Sequence, residues 1–255
     1  MTATKVVEAL SIPPNARVDK RVPKKKLMEQ SIPTPGDKKQ IQDGIDETIW
    51  IAALKPNNIG VPIFRDNVRE YLEIIILTTK IRETAKATRL IELIHRAIPY
   101  PVVLITEQSN TICLSLAHKR WSLGESGKVV IEDLRITAPF QSESPTAEQL
   151  AFLSSLALSS QPRRDLFSLY QGWLDRMAAL ETSEITGVFK LPVSTDRSSA
   201  LRENLDNHSK LKNEIIILRS SADRETQINR RVELNLEIKK REDEISSVLQ
   251  IIKLE

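Results

Sequence analysis

A single cysteine, Cys113, stands in a chain of 255 residues, so no disulfide can close within it and a reducing cytoplasm is its expected home. Cys113 sits in an apolar, strand-like stretch with no base or basic cluster beside it, which reads as a packed thiol and not as a nucleophile. Long hydrophobic runs are missing as well. Residues 74–77 form the most apolar run, far below the roughly 20 residues that cross a bilayer, and residues 1–10 carry no apolar core of a secretion signal. No membrane partner is expected. His95, His118 and His208 lie apart from one another and from Cys113, without paired ligand spacing, so neither a metal nor another cofactor is expected. The elbow of a serine hydrolase is absent. Residues 122–129 come near a phosphate-binding loop, with Gly127 and Lys128 in place. Ser122 stands where the first glycine belongs, however, and Val129 where a hydroxyl would hold Mg²⁺, and the segment precedes a strand; a hairpin turn through Ser126 fits it better.

Neither proline nor glycine occurs after Pro192, and that absence defines the C-terminal part. Charged residues there surround an aliphatic stripe of Leu201, Leu205, His208, Leu211, Ile215, Leu218 and Ala222, then Ile228 and Val232, then Ile238, Ile245, Leu249 and Ile252. Steps of about three and four mark a helical arm over 193–255. The stripe changes phase near Ser220-Ser221-Ala222-Asp223, where a reversal between two antiparallel helices, with Asp223 capping the second, is one solution. One continuous helix whose stripe is covered by another chain is the other. The stripe residues Leu211, Ile215, Leu218, Ile228, Val232, Ile238, Ile245 and Leu249 are the expected partner-binding set.

The rest of the chain predicts an α+β fold: a mostly antiparallel sheet with covering helices on one face, then an all-helical region before the arm. Residues 37–54 show Ile41, Ile45 and Ile49 at helical spacing and read as a first helix, with Trp50 in the core. Residues 61–64 and 71–79 read as a hairpin around Arg65-Asp66-Asn67, 83–97 as a helix, and 101–106, 111–118 and 128–137 as strands. Helices follow over 145–158 and 163–181, and Gly187 to Pro192 form a hinge. The expected organisation is an extended basic segment over 1–36, an α+β domain over 37–140, a helical region over 141–192 and the hairpin or coiled-coil arm over 193–255.

Net charge is only +3, yet it is unevenly spread. Arg17, Lys20, Arg21, Lys24, Lys25 and Lys26 crowd together around Pro23, with Pro13, Pro14, Pro33 and Pro35 nearby. Such a run is expected to be extended and able to track phosphates, although no stacking aromatic lies within it. Lys119, Arg120, Arg163, Arg164, Arg230 and Arg231 are further candidates for the same nucleic-acid face, and solvation explains them equally well.

Several short segments occur in an order that resembles an uncharacterised bacterial family, a domain of unknown function. They are Val18-Asp19-Lys20-Arg21-Val22-Pro23-Lys24, Trp50 with Leu54-Lys55-Pro56-Asn57-Asn58-Ile59, Ala97-Ile98-Pro99-Tyr100-Pro101, Ala117-His118-Lys119-Arg120, and Gln227-Ile228-Asn229-Arg230-Arg231-Val232-Glu233-Leu234-Asn235. The resemblance spans nearly the whole chain. It implies a genomic context beside SNF2-type helicases and DNA methyltransferases in restriction or anti-phage clusters, and no particular reaction.

Three functions follow as expectations. The first is a non-enzymatic accessory or adaptor subunit of a DNA-directed assembly, with a helicase, a methyltransferase or a second copy as partner and nucleic acid as a possible ligand. The second is a divergent metal-dependent nuclease using Asp66, Glu70 or Glu73 with Lys80, although the usual acidic residue followed by Glu-x-Lys is missing from the sheet. The third is a stand-alone DNA-binding homodimer built through the arm.

Overall fold

A computed structural model of the protein describes residues 2–30, 34–125, 127–141 and 144–254; Pro33 and Ser126 lie outside them. The chain divides into two compact units, Met1–Met177 and Ala178–Glu255.

The first unit runs α1 (Ala3–Ala9), β1 (Arg17–Arg21), α2 (Lys24–Gln30), α3 (Pro35–Gly44), β2 (Ile45–Leu54), the single turn α4 (Pro56–Ile59), β3 (Phe64–Arg65), β4 (Glu70–Tyr71), β5 (Ile74–Ile81) and α5 (Ala87–Ala97). It continues with β6 (Val102–Gln108), β7 (Thr111–Trp121), β8 (Val129–Ile136), β9 (Phe140–Gln141) and α6 (Ala147–Ser155), and the division between the units falls inside α7 (Leu166–Thr186). The main sheet has the order β1-β2-β5-β6-β7-β8, with β9 beside β7. All its pairs are antiparallel except β5 with β6, which are parallel because α5 crosses between them. This is the α+β arrangement the sequence predicts.

One face of the sheet packs Ile75, Leu77, Val102 and Leu104 against Leu27 of α2, Ile41 of α3 and the apolar stripe of α5. Each such aliphatic side chain, fully buried, contributes about 1.5–3 kcal/mol. The other face is covered too. Ile76 and Val103, which alternate with that set, are fully buried. On that side α1 packs on β6, and Tyr170 of α7 donates from its hydroxyl to Val102 O at 2.7 Å while accepting from Ala117 N at 2.7 Å.

The largest correction lies over residues 37–54. A capping box opens α3, with Thr34 Oγ1 accepting from Asp37 N at 3.2 Å and Asp37 Oδ2 accepting from Thr34 N at 3.3 Å, and the helix stops at Gly44. Residues 45–54 are then a strand. Register shifts between Ile45 and Glu47 and between Trp50 and Ala52 place bulges in β2, and these break the two-residue alternation. The surviving spacing of Ile41, Ile45 and Ile49 therefore imitates a helix.

The basic N-terminal residues are extended over Arg17–Arg21 but helical from Lys24 onward. Residues 17–21 pair with β2 as an edge strand, and α2 starts immediately after Pro23, ahead of a first turn that needs no backbone N–H from that position. The hairpin expected from 61–79 is confined to β3 and β4, closed by Asp66 Oδ1, which accepts from Val68 N at 2.7 Å and Arg69 N at 2.5 Å; β5 is a separate central strand.

In the second unit, α8 (Thr195–Arg224) and α9 (Ile228–Leu254) pack on each other as a helical hairpin. The reversal falls at Glu225-Thr226-Gln227, later than the phase change suggested, and Glu225 Oε1 rather than Asp223 caps it, accepting from Gln227 N at 2.8 Å. Ser221 lies within α8, its hydroxyl donating back to Ile217 O at 3.0 Å. Arg219 meets Glu242 at 2.7 Å and Arg241 meets Glu214 at 2.9 Å across the two helices, beside the apolar seam.

Candidate nucleic-acid interface

Register brings Lys20 of β1, Trp50 of β2 and Leu77 of β5 into one row across three strands. Successive residues of a strand point to opposite faces, so these three share the face covered by α2 and α5. Between that row, Pro23 and Lys26 at the start of α2, and the loop Ile98-Pro99-Tyr100 after α5, a cleft of about 430 Å³ opens. Ile75, Leu77 and Ala97 form its apolar floor, Trp50 and Tyr100 its partly buried aromatic walls, and Lys20, Arg21 and Lys26 its basic rim. Trp50 donates from its indole nitrogen to Ala52 O at 2.8 Å, which orients the ring.

The rim carries unequal charges. Arg21 lies 3.6 Å from Glu47 in a solvent-exposed pair, whereas Lys20 and Lys26 have no carboxylate partner among the described residues. Lys24 is spent on Gln42 O at 2.7 Å, and Lys25 pairs loosely with Glu29 at 3.8 Å. One carboxylate enters the cleft from the turn before β5. Glu73 Oε2 is buried, accepts no hydrogen bond among the described residues, and has Lys55 Nζ as an ion-pair partner at 3.1 Å.

Lys119 does not reach solvent. It is 4 % exposed, and its ammonium donates to His95 O at 2.8 Å, to Ile98 O and to Tyr100 O at 2.6 Å. The expectation that it meets a phosphate is therefore corrected: β7 is a central strand under the α5–β6 loop, so the side chain points inward and pins the loop that forms one wall of the cleft. Burial holds this ammonium down to about 7. Neighbouring His95 is fully buried beside Ser115 Oγ at 3.1 Å, and burial first, then the Lys119 charge, lowers its pKa well below the usual value. Arg120 donates to Trp121 O at 3.1 Å and borders a smaller recess of about 190 Å³ that shares Pro99 and Tyr100 with the cleft.

His118, read from sequence as a strand-end surface residue, is also interior. Tyr71 Oη bonds its Nδ1, its Nε2 donates to Gln171 Oε1 at 2.8 Å, and Gln171 Nε2 donates to Asp175 Oδ1 at 2.9 Å. Phe167 stacks on the imidazole with centroids 5.1 Å apart. This buried relay ties α7 to β4 and β7, and burial keeps His118 below its usual pKa.

The residues considered for a nuclease serve separate purposes. Asp66 closes the β3–β4 turn, Glu70 pairs with Arg65, Glu73 pairs with Lys55, and Lys80 stands opposite Glu47 on the sheet. Among the described residues no group of three or more His, Cys, Asp or Glu side chains is placed to hold a metal ion. Arg163 donates to Ile59 O, and Arg164 pairs with Asp165 at 2.8 Å. Arg230, paired with Glu233 at 2.6 Å, and the exposed Arg231 belong to the second unit.

Of the expected partner-binding set, Leu211, Ile215 and Ile238 are buried in the seam between α8 and α9, and Leu218, Ile245 and Leu249 are partly buried. Ile228 and Val232 are not in it. They are 73 % and 52 % exposed, because the reversal falls later than expected and rotates Leu234 and, further along, Val248 into the seam instead. Leu236, 63 % exposed, continues the outward line of Ile228 and Val232.

Trp50 packs against the core cluster, as expected, and also faces the cleft; Tyr100 does the same and carries no signal of its own in the sequence. The signal was present in the short ordered segments: residues 18–24, Trp50 and residues 97–101 line the cleft, and Lys119 of residues 117–120 holds it. No curated protein and no solved structure matches this chain. A family model described as Domain of unknown function (DUF4391) matches residues 10–245, and the chain belongs to that family.

Proposed function

We propose that the protein is a non-enzymatic accessory subunit of a bacterial DNA-directed assembly, holding a nucleic-acid strand at the cleft of its first unit and a protein partner on its helical arm. The observation that carries this reading is the meeting of Lys20, Arg21 and Lys26 with Trp50 and Tyr100 around one cleft. Cations along a rim neutralise phosphates, and aromatic walls accept unstacked bases; together they suit a single strand better than a duplex. The test is fluorescence anisotropy with a labelled single strand across a salt series. Three phosphate contacts give a slope of log K against log salt of about −2, and Lys20→Ala with Lys26→Ala flattens it by about 1.4. Binding that ignores both salt and these substitutions overturns the reading.

Ile228, Val232 and Leu236, spaced by four on α9, support a protein-docking role for the arm. The genomic context expected from the resemblance, beside helicases and methyltransferases, makes such an enzyme the partner of choice. A homodimer through the same residues is the second reading, which the same exposed side chains favour. Light scattering separates them: a full-length dimer converted to monomer by Val232→Asp supports self-association, and a monomer throughout supports a different protein.

A further inference from the structure

A pocket of about 300 Å³ lies wholly within the second unit, where the end of α7 and the segment after Gly187 meet the start of α8 and the last turn of α9. Buried Leu201 and Ile252 close its base, and Val188, 62 % exposed, stands with Pro192 on its open side. Three exposed cations, Lys190, Arg197 and Lys253, reach it from three separate segments. Among the described residues no carboxylate lines the pocket, and none of the three cations has an ion-pair partner. Elsewhere on the same hairpin Arg219, Arg230 and Arg241 each meet a glutamate. Three like charges around one apolar recess repel one another, and an anion placed among them is attracted by all three.

We propose that this pocket docks an acidic segment of a partner protein, with an aliphatic side chain seated against Val188 and carboxylates at Lys190, Arg197 and Lys253. The apolar side continues along the same segment, outside any helix or strand, through Leu191 and Val193, which is 79 % exposed. A nucleic-acid strand fits the pocket less well. No aromatic side chain lines it to stack a base, and its hydroxyls are committed or enclosed: Thr186 Oγ1 donates to Thr182 O at 3.1 Å, and Thr182 Oγ1 is sealed from solvent. A phosphate, rich in acceptor oxygens, is held best by a dense set of donors, whereas carboxylates on flexible side chains pair readily with three separate cations. The pocket stands at the base of the hairpin, about 30 Å along α9 from Val232, so it is a second contact apart from the face of Ile228, Val232 and Leu236.

Random twelve-residue peptides displayed on phage are selected on the full-length protein and, in parallel, on the variant Lys190→Glu with Lys253→Glu. Enriched peptides are expected to combine aspartate or glutamate with leucine, isoleucine or valine, and to be recovered about tenfold less on the charge-reversed variant. Val188→Ser lowers recovery by a smaller factor without touching charge, and Lys20→Ala with Lys26→Ala, at the cleft of the first unit, leaves it unchanged. Should the double reversal unfold the hairpin, Lys190→Ala, in a segment outside any helix, supplies the same comparison with a smaller ratio. Enrichment without an acidic bias, or equal recovery on both proteins, overturns the proposal. Weakened binding of a labelled oligothymidylate on charge reversal, with no acidic peptide enriched, assigns the pocket to phosphates and overturns it as well. Failure of the peptide selection beside intact, Lys20- and Lys26-dependent oligothymidylate binding sinks this site alone and spares the reading of the cleft.

Discussion

Lys119 Nζ donates to Tyr100 O at 2.6 Å from a fully enclosed position, so a cation on a central strand holds one aromatic wall of the cleft. Lys119→Met leaves the His95, Ile98 and Tyr100 carbonyls without this donor and is expected to cost about 3 kcal/mol in urea unfolding. The unfolded lysine titrates near 10.4. Between about 7 and that value the unfolded chain holds a proton the folded chain has released, so stability rises with pH across this window. The variant lacks that rise; parallel pH dependence in both proteins counts against the assignment.

Asp37 and Arg89 give the opposite sign. Arg89 grips both carboxylate oxygens at 2.9 Å, and this bond, aided by Thr34, brings Asp37 down to about 2. Its contribution is complete above the unfolded value near 3.9 and disappears as pH falls through about 2. Asp37→Asn should shallow the acid limb of a stability profile between pH 4 and 2. An unchanged limb would show that the pair is energetically silent.

Gly172 sits inside α7, where alanine is intrinsically the better helix former by about 1 kcal/mol. A Cβ there would stand 2.5 Å from Pro162 Cδ and 2.9 Å from Gln161 Oε1. Overpacking outweighs propensity, and Gly172→Ala is expected to lower stability by about 1–3 kcal/mol. A higher melting temperature would refute the close approach.

On the arm, burial separates two neighbouring apolar residues. Ile238→Ala empties part of the seam and should cost about 2–4 kcal/mol, seen as faster amide exchange in α8 and α9. Leu236→Lys, on the outward face, should change stability by less than about 0.5 kcal/mol. Equal effects would mean the hairpin pairs in another register.

The arm's helices were legible because nothing in 193–255 interrupts a helical period, and the strands at 102–108, 111–121 and 129–136 because turn residues bracket β-branched runs. The strand at 45–54 was hidden by its two bulges. The outward rotation of Ile228 and Val232 was hidden because a reversal displaced by a few residues changes which side of the next helix faces its partner.

By itself the sequence determined the α+β class, the helical arm and the basic character of residues 17–26, since each follows from local periodicity or composition. Only the tertiary structure decided that Lys119 and His118 face inward, and that Lys20, Glu73, Trp50 and Tyr100 surround one cleft. Strand order and register bring these positions together across long separations in the chain, and no local spacing in one sequence records which strand lies beside which.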